Sequence, residues 1–226
     1  MAIYAIGDIH GCYSALKTLF KVIPATANDS FIFLGDYIDR GPNTMETIEW
    51  LINFSKGHNT VFLRGNHEIM MLAAQLDDLR LEDWKFSGGE KTLLSYGAGS
   101  KNNWITKVPD NHWEFLNNTK PYHQIGKFIF VHAGLESGKL LEEQNKHSIY
   151  WEKYEIPEKY ADNKIVICGH TSRKDGNIAN FGHTICVDTY AYGGKWLTGI
   201  NVTNGEYFQA NEKKVTIKGT IEVKSI

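Results

Sequence analysis

Apolar residues along this chain fall into short runs that alternate between two spacings. Ile3–Ile6, residues 30–34 and residues 60–63 are brief, continuous apolar runs, as expected of strands buried on both faces. Between them the spacing becomes helical. Leu16, Leu19, Phe20 and Ile23 mark one helix over Tyr13–Val22, and two more are predicted over about 44–54 and 68–76. The second of these has Pro42 and Asn43 near its start and Glu46 three residues after Asn43, an order that resembles a capping arrangement. Strand and helix alternating in this way predict an α/β unit with mainly parallel strands.

Residues 79–120 break the alternation. They hold Trp84, Trp104 and Trp113 and read as a helical insert lying over the sheet. Apolar strands resume at Phe128–Val131 and Ile165–Cys168. From Gly182 onward the pattern is short strands and turns, over residues 184–187, 196–202, 207–209 and 215–223. These predict a second, largely antiparallel sheet. The expected architecture is therefore α/β, with two stacked mixed β-sheets forming a β-sandwich flanked by α-helices, in a single domain over residues 1–226. Lys213, Lys214, Lys218 and Lys224 crowd the C-terminus and are read as protection of an edge strand against aggregation.

Composition narrows the classes. The 226 residues can bury a full core. The 24 basic and 26 acidic residues leave a formal charge of -2, with no electrostatic footprint for nucleic acid or an anionic membrane. No apolar run approaches the length of a membrane span. Met1-Ala2-Ile3-Tyr4-Ala5-Ile6 has no basic n-region and leads directly into the first motif, so a cytoplasmic location is expected. Cys12, Cys168 and Cys186 have no metal-finger spacing and suit reduced, packed thiols. Cys12 follows Gly11 closely enough to sit near the metals, where packing is expected ahead of a redox role.

Five short blocks carry the chemistry. They are Gly7-Asp8-Ile9-His10-Gly11, Gly35-Asp36-Tyr37-Ile38-Asp39-Arg40-Gly41, Gly65-Asn66-His67-Glu68, His132-Ala133-Gly134 and Gly169-His170-Thr171. Each follows a strand-like run and sets Asp, Asn or His beside Gly, which delivers ligands into a crevice at the strands' carboxyl ends. Asp8 and His10 are two apart and share a side in an extended segment. Asp36 has two carboxylate oxygens and can bridge two ions. Asn66 offers a carbonyl oxygen, and His132 and His170 offer nitrogens. Nitrogen and oxygen donors without sulfur suit two divalent ions, manganese first, with iron or zinc as alternatives. Such a pair polarises phosphoryl oxygens and lowers the pKa of a bridging water.

The first three blocks, the third taken from Arg64, closely resemble the signatures of the phosphoprotein phosphatase family of metallophosphoesterases. The His132 and His170 blocks look like its later ligand blocks, and Gly88–Gly97 is similar to a segment of small bacterial and phage members. The resemblance spans roughly residues 3–199. It implies the metallophosphoesterase fold, with Asp8, His10 and Asp36 on one metal and Asp36, Asn66, His132 and His170 on the other.

Phosphomonoester hydrolysis also needs a proton for the leaving alkoxide and a grip on the phosphoryl charge. His67 follows Asn66 directly and is the candidate acid. Asp39 is its candidate partner, countering the effect of two dications on the imidazole. The resemblance implies the same His67–Asp39 pair. Arg40 can grip phosphate bidentately. The family usually carries a second arginine shortly after a tryptophan in a later region. Here Ile149-Tyr150-Trp151-Glu152-Lys153 supplies Lys153 instead. Arg64 and Arg173 are other candidates for that grip, with Arg64 read rather as a loop brace. Tyr190, Tyr192, Gly193 and Gly194 form an aromatic loop expected to face substrate.

The leading functional expectation is phosphoserine or phosphothreonine hydrolysis in proteins, by attack of a metal-bridging hydroxide. The alternatives are a symmetrical dinucleoside tetraphosphatase, a small-molecule phosphomonoesterase and a non-catalytic phosphoprotein-binding scaffold. The expected partner is a phosphorylated protein or small phosphoester, without nucleic acid or membrane.

Overall fold

The computed structural model describes residues 1–99 and 103–223. Its strands are β1 (Ile3–Ile6), β2 (Ser30–Phe33), β3 (Asn59–Phe62), β4 (Tyr122–Ile125), β5 (Phe128–Val131), β6 (Ile165–Cys168), β7 (Ala179–Asn180), β8 (Thr184–Cys186), β9 (Leu197–Asn201), β10 (Glu206–Ala210) and β11 (Thr216–Thr220). Its α-helices are α1 (Tyr13–Val22), α2 (Thr44–Ser55), α3 (Asn66–Ala73), α4 (Asp78–Trp84), α5 (Glu90–Ser95), α6 (Asp110–Asn117) and α7 (Lys146–Tyr150).

Two mixed sheets stack as expected, but the strands are shared between them differently. One sheet runs β11-β10-β9-β1-β2-β3, the other β4-β5-β6-β8-β7. The antiparallel strands β9–β11 extend the first sheet instead of building the second. The second sheet has a parallel centre, β5-β6-β8, with β4 and β7 antiparallel at its edges. Strand spacing alone predicts a strand's existence but not its neighbour, and β4 and β7 are too polar or too short to announce themselves.

Alternation within the apolar runs explains the layering. Ile3, Ala5, Ile32 and Leu34 meet Phe128, Phe130, Ile165, Ile167 and Ile185 between the sheets. Their neighbours Tyr4, Ile6, Phe31 and Phe33 point outward and are covered by Leu16, Leu19, Ile48 and Leu51 of α1 and α2. Both faces of these strands are buried, so their sequences read as continuous rather than alternating. Beyond the second sheet, Val131, Val166, Cys168 and Cys186 pack against Ile149 and Tyr150 of α7.

Asn43 does stand at the start of α2, but its side chain caps no backbone group. Its Nδ2 donates weakly to Glu46 Oε1 (3.4 Å), and its carbonyl accepts from Thr47 N (3.0 Å). Among the described residues of 79–120, most of α4 together with α5 and α6 make up the α-helical segments. A wide turn, Lys85–Gly89, joins α4 to α5 and is broken at Gly88 (φ +119°). β11 is an exposed edge strand bearing Lys218, with Lys213 and Lys214 in the turn before it. Lys224 lies outside the described residues. All three cysteines are buried and free. Burial, reinforced by Glu212, pushes the Cys12 thiol far up, which disfavours the thiolate a redox role needs. Among the described residues no helix is long and apolar enough to cross a membrane.

Candidate dinuclear metal centre

The carboxyl ends of β1, β2, β3, β5 and β6 meet at one edge of the sandwich. The main chain ties the loops there. His10 N donates to Asp36 O (2.8 Å), and Gly169 N donates to His132 O (2.8 Å). Backbone conformation singles out the same loops. Among the described residues seven non-glycines have positive φ, and five of them are His10, Asp36, Asp39, Arg40 and His170. Residues held in this region cost about 1–3 kcal/mol each and persist where function requires it.

Two glycines make room for ligand oxygens. A Cβ on Gly169 would lie 2.0 Å from Asp8 Oδ1, and one on Gly65 would lie 2.1 Å from Asp36 Oδ1.

The histidines are oriented by carbonyls behind them. His132 Nδ1 meets Leu34 O at 2.8 Å and His10 Nδ1 meets Ile38 O at 2.8 Å. His170 Nε2 meets Trp151 O at 3.1 Å. In each ring the nitrogen facing a carbonyl carries the hydrogen, so the other presents a lone pair. For His132 and His170 those lone pairs face further acceptors. His132 Nε2 and His170 Nδ1 each lie 3.0 Å from Asn66 Oδ1, and His132 Nε2 lies 3.4 Å from Asp36 Oδ1. Convergence of acceptors without hydrogens between them is the signature of a cation site. His10 Nε2 lies 3.4 Å from Asp36 Oδ2 and accepts from Arg40 Nη1 at 3.0 Å. The guanidinium thus supplies the positive charge on that side.

The electrostatics agree. Burial and the neighbouring carboxylates Asp188 and Asp36 raise the Asp8 pKa. Asp8 Oδ1 is buried with no hydrogen-bond partner. A carboxylate in that position asks for a cation. Burial also lowers His10, and burial with His132 takes His170 down to about 3, so both are neutral as ligation requires. Two groups of donors, His10-Asp36-His67 and Asp36-His132-His170, have ligand atoms within 4.8 Å of one another. Asp36 belongs to both, as a bridging carboxylate would. The donor set therefore fits two divalent ions.

His67 appears in the first group, but its ring is engaged elsewhere. Nδ1 bonds Asp39 Oδ2 at 2.6 Å, and Nε2 is 3.9 Å from Asp36. Burial works against its protonation, while Asp36 and the Asp39 hydrogen bond outweigh burial and raise its pKa. That distinguishes it from the neutral His10 and His170, and suits a proton donor. Arg40 reaches over the centre, with its guanidinium carbon 4.4 Å from the Tyr192 ring centroid. Tyr192 also packs edge-on against His10 at 4.8 Å, and Tyr190 meets Tyr192 edge-on at 4.7 Å. Lys153 is exposed, and its charge acts on His170, so the Trp151–Lys153 segment does border the site. Arg64 instead braces the chain by bonding Thr119 Oγ1 and Asn117 O. Arg173 lines a cavity behind the His132 and His170 loops.

Sequence reasoning passed over two carboxylates. Glu68 is wholly buried and accepts from Asp36 N, Tyr37 N and Gly65 N, each at 2.8 Å, clamping two ligand loops together. Asp188 accepts from Ser172 Oγ (2.5 Å) and Tyr190 N (3.1 Å), joining the His170 loop to the aromatic loop. Both stood inside or beside quoted motifs. The partners that reveal the task lie outside each residue's own block: Asp36 and Tyr37 are 32 and 31 positions from Glu68, and Ser172 is 16 from Asp188.

This fold and this edge define a calcineurin-like phosphoesterase, and the chain belongs to that family, whose model matches residues 1–202. It is 32% identical over 136 residues to the symmetrical bis(5'-nucleosyl)-tetraphosphatase of Methylococcus capsulatus, covering 60% of this chain and 44% of that protein. It is 42% identical over 140 residues to the enzyme of the same description in Methylobacillus flagellatus, with the same coverage. The match thus spans less than half the length of these relatives. A protein serine/threonine phosphatase from Saccharomyces cerevisiae superposes with a TM-score of 0.60 at 16% identity, covering 100% of this chain and 81% of that one; it shows the fold alone.

Proposed function

We propose that this chain is a metal-dependent phosphohydrolase, that Asp8, His10, Asp36, Asn66, His132 and His170 hold two divalent ions, manganese by preference, and that its substrate is a symmetrical dinucleoside tetraphosphate. The convergence of unprotonated donors on Asp36 supports the metal centre. The relatives support the substrate and reverse the order that the motifs alone suggested, with phosphoprotein hydrolysis second. When bound, the ions activate water and polarise the phosphoryl group. The chain's own residues do the rest. Arg40, stacked on Tyr192, grips phosphoryl oxygens, and Lys153 adds a second positive charge at the rim. His67 donates the proton from Nε2 to the departing oxygen, with Asp39 holding Nδ1. Glu68 keeps the Asp36 and Asn66 loops in register.

One observation favours the second reading, a phosphoserine or phosphothreonine substrate. A nucleotide leaving group departs readily as an anion, whereas an alkoxide needs its proton badly. The buried His67–Asp39 pair is built for the harder case. Turnover of diadenosine tetraphosphate and of a phosphoserine peptide by the manganese-reconstituted protein decides between them. Cleavage of the first to two ADP at a kcat/KM at least tenfold above the peptide is the expected result. The reverse ratio would establish the peptide reading; no hydrolysis of either would leave the small-molecule phosphomonoesterase and the scaffold, which turnover of p-nitrophenyl phosphate separates.

A further inference from the structure

The helical insert looks like a cover, yet three of its residues reach the strand-end loop that carries Asp39 and Arg40. Trp84, the last residue of α4, is wholly buried and donates Nε1–H to Asp39 Oδ2 (2.9 Å). Thr92, also wholly buried, donates Oγ1–H to Asp39 Oδ1 (2.7 Å). The same Thr92 oxygen accepts from Asp39 N (2.9 Å). Its remaining lone pair faces Thr44 Oγ1 at 3.1 Å; because the Thr92 hydrogen is already used, Thr44 is the donor. Gly88 O accepts from Arg40 N (3.2 Å). The Asp39 carboxylate therefore has three donors, His67, Trp84 and Thr92, and only the first belongs to a ligand loop.

This arrangement has a direct mechanical consequence. Asp39 sits at positive φ (72°) in a short loop, a conformation uncommon for any residue with a side chain, though aspartate tolerates it better than most. Two donors from the insert fix both of its oxygens. Oδ2 is thereby aimed at His67 Nδ1 at 2.6 Å. Without them the carboxylate is free to rotate, and the His67 ring follows. We infer that Trp84 and Thr92 are positioning residues for the acid, so that the insert, not the metal loops, sets the aim of the proton donor. This rests on His67 being the acid in the function proposed above.

The test compares leaving groups. Trp84→Phe keeps an aromatic ring and deletes one N–H, Thr92→Val deletes one hydroxyl, and Thr92→Ser restores it. With manganese-loaded protein, Trp84→Phe and Thr92→Val should each lower kcat for an alkyl phosphate substantially, toward the roughly 10²-fold that a 1 Å misplacement of a catalytic group costs. They should change p-nitrophenyl phosphate turnover by no more than about twofold, because nitrophenolate leaves without a proton. Thr92→Ser should recover the alkyl activity, and metal per chain should stay at the wild-type value. In an Asp39→Asn background, Trp84→Phe should add no further loss. Equal losses for both substrates, or additive losses in that background, would overturn the inference and reduce the two residues to packing. His67→Asn serves as the control. If it too lost both activities equally, the acid assignment itself would fall, a different failure from one confined to Trp84 and Thr92. Should Trp84→Phe not fold, the Thr92 pair decides alone.

Discussion

The strand-end loops and the helical insert lie against each other, yet they are made in opposite ways. The loops are brief, rich in glycine and strained, and they carry all six candidate ligands. The insert is longer and meets the Asp39–Arg40 loop from behind, through Trp84, Thr92 and the Gly88 carbonyl. Loops at the ends of parallel strands are fixed by the ladders beneath them, so they can hold ligands at defined spacings. A helical layer is held by apolar packing and is suited to bracing what the loops present. On the proposed assignment, metal ligands and acid are supported by separate parts of the fold and should fail separately.

The largest effects should come from the loops. Chelation should abolish turnover, and manganese should restore it better than zinc or iron; full activity with no metal found by elemental analysis would break the comparison at its root. Asp36→Asn should cost more than loss of any terminal ligand, since that carboxylate serves both groups of donors. Retention of two metals and near-normal kcat in that variant would remove Asp36 from the bridge. Gly169→Ala should release metal without touching a ligand, because its Cβ would fall on Asp8 Oδ1.

Next in size is His67→Asn, expected to lower kcat for alkyl phosphates by about 10²–10⁴-fold, the range of general acid catalysis. Metal content measured alongside should be unchanged. Loss of an ion would move His67 into the ligand set and erase the division between the two regions.

Lys153 offers a smaller test at the rim. Lys153→Ala should raise KM a few-fold, about the worth of one exposed charge contact, while Lys153→Arg should keep or lower it. Steady-state kinetics showing neither change would place Lys153 outside the site.

The smallest effect concerns how the insert docks on α2. Hydrogen bonds from His112 and Asn53 outweigh partial burial and hold the Glu49 carboxyl below its ordinary pKa. A depressed carboxylate pKa stabilises the fold above the unfolded value and loses that contribution as pH falls through the folded value. Glu49→Gln should therefore lower stability slightly at pH 7, by less than about 1 kcal/mol because the carboxylate is half exposed, with a correspondingly small drop in Tm. Thermal melts of the two proteins should converge in acid. A gap that persisted below pH 3 would show that the docking owes nothing to this charge.

Much of the centre was legible in the chain because a strand end followed by glycine and a ligand is a local device. Asp8, His10, Asp36, Asn66, His132 and His170 all come to one edge, and the apolar runs at Ile3–Ile6, Phe128–Val131 and Ile165–Cys168 are strands as read. The assignment of later strands to a second sheet failed because the partner of a strand is a non-local choice. β9 pairs with β1 across nearly the whole sequence, a register that no run of residues announces.

By itself, then, the sequence determined where strands end, which donors stand there and that sulfur is not among them. These depend on spacings of a few residues. Tertiary structure decided which carbonyl fixes each imidazole, which carboxylate clamps the loops and what holds Asp39. Leu34 and His132 are 98 positions apart, and Asp39 and Thr92 are 53 apart. A hydrogen bond between such distant residues depends on the packing of whole layers, and only the folded chain brings its two ends within reach.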